Sequence, residues 1–132
     1  RDARAHLGGG STYRAGAVLA STYVEMGAPR VLFDYCFLRP RHLHHFVGAL
    51  PPTASMRLFT LWAPLPIVQA RERDRDARTP LGAAVEECHR EIGEHLGELG
   101  TILDATDDPP QRIAAEIHAR LEGSGVSETT RS

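Results

Sequence analysis

Residues 56–75 read "MRLFTLWAPLPIVQARERDR". The first seven are mostly apolar and rich in β-formers, the mark of a short buried strand. Pro64 or Pro66 then falls near the first turn of a helix, where a missing N–H costs nothing. The stretch therefore predicts a strand over 56–62 running into a helix over 64–75.

Working outward, the same alternation repeats. Ser11 or Thr12 can cap a helix to about Met26, with Tyr13, Ala17, Ala20 and Val24 on its apolar side and Gly27 as its stop. "RVLFDY" (30–35) reads as another buried strand. "RHLHHFVGAL" (41–50) places Leu43, Phe46, Val47 and Leu50 on one helical face, and Pro51–Pro52 end it. A helix over 83–99 carries Val85, Cys88, Ile92, Leu96 and Leu99, and Gly100 closes it. "TILDAT" (101–106) is a third strand, and 107–121 is a last helix with Asp and Pro at its start. Residues 1–11 read as a flexible lead, 12–122 as the domain, and 123–132 as a polar, disordered tail.

The order α-β-α-β-α-α-β-α implies an α/β fold with a parallel, three-layer sheet. Ligands in such sheets bind beyond the carboxyl ends of the strands. Asp34–Arg39, Ala63–Pro66 and Thr106–Asp108 are thus the positions to watch.

Composition narrows the classes. The 132 residues suffice for one domain, and a net charge of -2 carries no basic footprint for nucleic acid. Cys36 and Cys88, in no paired spacing, give neither a disulfide framework nor a zinc signature and suit a reducing cytoplasm. No apolar run is long enough to cross a membrane, and no secretory signal opens the chain. The sequence does not start on Met, which suggests a fragment or a processed chain. It contains no lysine, so all 15 strongly basic side chains are arginine. A Schiff-base lysine and a phosphate-loop lysine are therefore both excluded from these residues.

Two features can carry chemistry. Asp34 ends an apolar run, where a carboxylate can hold Mg²⁺ through water, act as a base, or simply cap the next loop. Arg71, Arg75 and Arg78 fall at i, i+4, i+7 on one helical face, while Arg73 points elsewhere. Guanidinium forks suit phosphate oxygens, so this face can form a mobile clamp. With Glu72, Asp74 and Asp76 interleaved, it can equally be a solvated face. Other stretches are weaker. His42 and His45 have ligand spacing without a third partner, Cys88 lies on an apolar face, and "HLGGGST" (6–12) fails the phosphate-loop pattern.

The ordered set "VLFDYCFLRPRHL", "RLFTLWAPLPIVQARERDRDARTPLG", "EECHREIGEHLGELGTILDAT" and "DPPQRIAAEIHARL" resembles the later part of small P-loop kinases. These are the nucleoside-monophosphate-kinase-like group, with shikimate kinase, chloramphenicol phosphotransferase and zeta-toxin-like ATPases. The resemblance implies that Asp34 lies near Mg²⁺ and substrate, and that Arg71, Arg75 and Arg78 serve a lid near 71–82. It implies that Arg39 approaches phosphate, and that Thr106, Asp107, Asp108 and Pro109 lie near adenine. The implied activity is ATP-dependent phosphoryl transfer to a small hydroxyl or phosphate acceptor, with Mg²⁺ and without nucleic acid or membrane partners. The family's first strand, phosphate loop and second strand have no counterpart here and would precede Arg1. The chain alone is thus expected to be inactive. The alternative is a non-catalytic α/β module for assembly or regulation.

Overall fold

The computed structural model describes residues 10–75 and 81–127. Their five α-helices and one two-stranded parallel sheet make a mixed α/β fold. The chain divides into two compact units: residues 1–57 with 87–99, and residues 58–86 with 100–132.

The first unit begins with α1 (Thr12–Glu25). Ser11 precedes it in helical geometry and makes no side-chain cap bond, so the expected cap is not used. The C-terminal end is closed as expected at Gly27. The Gly27 N–H donates to the Val24 carbonyl, and the Ala28 N–H to the Tyr23 carbonyl. That reciprocal pair satisfies carbonyls a helix end leaves open. Tyr13 and Ala17 are buried, whereas Val24 stays exposed, so only the first half of the expected apolar side is covered.

Next, α2 (Pro40–Gly48) packs on α1, with Pro40 in its first turn. Tyr13, Ala17 and Phe46 form the core, with Phe33, Phe37, Ala49 and Leu50 against it. The buried positions of α2 are His42 and Phe46. The helix is therefore turned from the face that the apolar stripe suggested, and Val47 is exposed.

The expected strand over 30–35 does not form. The segment shows the two-residue alternation of extended chain: Phe33 and Phe37 turn inward, and Leu32 is 83% exposed. Phe33 stacks on Phe46 at 4.7 Å, and Phe37 meets it edge-on at 5.6 Å. The apolar run reports ring burial, which needs no backbone ladder. Phe33 also lies so close over Gly16 that a Cβ there would collide with its ring.

The second unit holds the sheet. β1 (Phe59–Trp62) and β2 (Thr101–Asp104) run parallel, with Phe59 opposite Thr101 and Trp62 opposite Asp104. The ladder extends at both ends: the Thr101 N–H donates to the Leu58 carbonyl and the Ala105 N–H to the Trp62 carbonyl. Gly100 enters β2 at φ +74°, with the Leu58 carbonyl where a Cβ would stand, so only glycine fits without strain. Ala63, Leu103 and Ala105 are buried.

α3 (Leu65–Arg73) follows β1, with Pro64 as its N-cap residue and Pro66 in its first turn, close to the expected bounds. α4 (Ala83–Glu94) gives residues 83–86 to the second unit and 87–94 to the first. The helix expected over 83–99 breaks at Glu94 and resumes as a 3₁₀ turn over Leu96–Glu98. Gly93 and Gly97 flank that break and weaken helical continuity. α5 (Pro110–Ser127) runs past its expected end at Leu121 into part of the expected tail. It does so through Gly123 and Gly125, at a propensity cost of about 1 kcal/mol each relative to alanine.

Candidate functional site

In the second unit, β1 and β2 end side by side at Ala63 and Ala105. An open groove of about 220 Å³ lies there. Its floor is apolar, from Leu61, Ala63, Val68 and Ala105, and Arg71, Glu72 and Arg75 supply its charge. Pro64 and Pro66 fix where α3 starts after β1, and helical spacing then brings Arg71 to this side. Arg75 lies just past the helix end, with its N–H donating to the Glu72 carbonyl.

The two arginines differ in surroundings. Arg71 donates through Nη2 to the Thr106 carbonyl at 2.9 Å, which ties α3 to the loop after β2. Arg75 is exposed, with Nη1 3.9 Å from a Glu72 carboxylate oxygen, too long for a hydrogen bond. The other Glu72 oxygen accepts the Leu81 N–H at 3.1 Å. Arg73 does not line the groove. Arg78 and part of the expected lid lie outside the described residues.

The loop after β2 is held by its own side chains. One oxygen of Asp104 accepts both the Thr106 N–H (2.9 Å) and the Thr106 hydroxyl (2.5 Å). These bonds, the hydroxyl's first, hold the Asp104 carboxyl below its ordinary range. Asp107 and Pro109 are exposed, and Asp108 pairs with Arg112 at 3.2 Å. Thr106–Pro109 thus forms a short turn leading into α5.

Asp34 and Arg39 belong to the first unit. Asp34 is exposed on the segment between α1 and α2. The described residues contain no group of three or more His, Cys, Asp or Glu side chains placed to hold a metal ion. Arg39 is engaged: its Nε and Nη2 each donate to one oxygen of Glu91 at 2.8 Å. Glu91 is buried on α4, and this bidentate bond holds its carboxyl below the ordinary value. Sequence reasoning missed Glu91, although it sits between Cys88 and Ile92 on an otherwise apolar face. A carboxylate in such a stripe needs a buried partner.

The same unit holds a second polar contact that the pattern missed. The Tyr13 hydroxyl donates to the Cys36 carbonyl at 2.8 Å, and His42 Nδ1 lies 3.1 Å from the Tyr13 hydroxyl oxygen. Burial, then the neighbouring Tyr35 and Cys36, pushes the Tyr13 phenol up to about 12. It therefore keeps its proton through the neutral range.

A scan against protein-family models found no match, and comparisons with curated proteins and with solved structures found none either. No helix among the described residues is long and apolar enough to cross a membrane.

Proposed function

We propose that the chain supplies the arginine side of a phosphate site in an ATP-dependent phosphotransferase of the small P-loop kinase type. One observation carries the reading: Arg71 and Arg75 line a groove at the carboxyl ends of two parallel strands, where ligands of α/β sheets bind. In this reading Arg75 is the contact residue. Its guanidinium is exposed, and an apolar floor lowers the local dielectric and strengthens its pull on an anion. Arg71 is the strap that holds α3 to the Thr106 loop. The work of such a site is positioning and charge neutralisation, with no covalent step from the protein. The fold reading that goes with it is a three-layer sheet, of which β1 and β2 form two strands.

These 132 residues do not by themselves fit ATP with Mg²⁺. They contain no lysine for the phosphates, and Asp34 would be a single exposed carboxylate. The phosphate loop and the remaining Mg²⁺ ligands would have to come from residues outside this sequence. Within the second unit, Thr106–Pro109 would keep its expected role toward adenine only once those residues are supplied. The acceptor is a small molecule bearing a hydroxyl or phosphate, and the compartment is the cytoplasm.

The reading is tested by calorimetric titration of the chain with pyrophosphate. Weak binding that Arg75→Ala abolishes is the expected result. Equal binding by both proteins returns Arg75 to a solvated face and favours a non-catalytic module.

A further inference from the structure

The first unit contains a buried histidine among cations. His42 is 7% exposed, and its ring stacks on Tyr13 with centroids 4.6 Å apart and planes at 15°. The phenol has one hydrogen, and it points to the Cys36 carbonyl. The contact between His42 Nδ1 and the phenol oxygen therefore requires the imidazole hydrogen on Nδ1. An incoming proton must go to Nε2 and would leave a full positive charge in the stack.

The groups that face this ring are known from each element around it. From α1 there is the neutral phenol of Tyr13, and from the 33–38 segment the Cys36 carbonyl. Arg39 and Arg41 add positive charge at and within α2, where His45 also lies near. Among the described residues Glu91 on α4 is the acidic group that acts on the ring, and both its oxygens already accept from Arg39. We infer that His42 is a proton-controlled latch: neutral, it seals α2 and the 33–38 segment onto α1, and charged, it releases them.

The direction follows from the surroundings. Burial first, then the Arg41 and Arg39 charges, hold His42 below its ordinary value. In the unfolded chain it titrates near 6.5. As pH falls through that value the unfolded state gains the proton first, so the packed state loses stability until the lower folded value is reached. Above about 6.5 the latch is fully closed.

NMR of the histidine ring signals, with near-UV circular dichroism of the tyrosines, tests this on the full chain. His42 should titrate at lower pH than a histidine of the urea-unfolded chain, and the tyrosine signal should fall over the same interval. Arg41→Gln removes a cation from an exposed position, so it should raise the His42 midpoint and shrink the acid loss in Tm. His42→Phe keeps a ring against Tyr13 and has no proton to gain, so the step near neutral should vanish. The latch is refuted if His42 titrates like the unfolded reference, if the tyrosine signal ignores that titration, or if Arg41→Gln leaves the midpoint unmoved. The wild-type and Arg41→Gln results decide the matter even where His42→Phe fails to fold.

Discussion

Replacing Phe46 by alanine should strongly destabilise the first unit while leaving it folded in the absence of denaturant. Phe46 is 5% exposed and meets Phe33 and Phe37 at 4.7 and 5.6 Å. Phe→Ala in a core costs about 3–5 kcal/mol. Phe33 and Phe37 are only partly buried and can settle into the space, so the lower figure of about 3 kcal/mol applies. A unit of about 70 residues carries about 3.5–10 kcal/mol of stability, so the loss is a large share of it. Urea unfolding reads this through two probes. Tyr13 and Tyr35 report on the aromatic cluster by near-UV circular dichroism, and the lone Trp62 reports on β1 by fluorescence. With a slope near 2 kcal/mol per M, the tyrosine midpoint should drop by about 1.5 M. A drop below about 0.3 M would refute the packing described for Phe46.

Further outcomes follow from the ion pair and from the proposed function. Arg39 holds the Glu91 carboxyl below its ordinary value, so that stability is present above about pH 4.3 and lost as pH falls below it. Glu91→Gln should flatten the acid limb of a Tm-versus-pH curve, and an unchanged limb would remove the ion pair from the account. The coding sequence that precedes Arg1 should encode G-x-x-x-x-G-K-[ST] in frame, and an upstream stop without that motif would sink the phosphotransferase reading.

The parts of the fold that sequence showed well are those with local causes. Pro64 and Pro66 mark the start of α3, and the apolar runs on either side of Trp62 and Leu103 mark β1 and β2. The 30–35 run misled because apolar composition measures burial, and Phe33 and Phe37 achieve that on two helices without a ladder. His42 and Glu91 were illegible for a related reason. Both occupy apolar faces and are tolerated through partners distant in sequence, Tyr13 and Arg39. In the groove, helical spacing could place Arg71 and Arg75 together, but nothing local announced that Arg71 donates to the Thr106 carbonyl.

The phosphate groove is the claim on which the functional reading turns. Its most direct measurement is a residue-resolved map of amide shifts in the ¹⁵N-labelled chain during titration with pyrophosphate. The account predicts shifts gathered at Ala63, Arg71, Arg75 and Ala105, weakened by salt and absent in Arg75→Ala. Shifts spread over unrelated arginines, or a pattern that Arg75→Ala leaves intact, would contradict it.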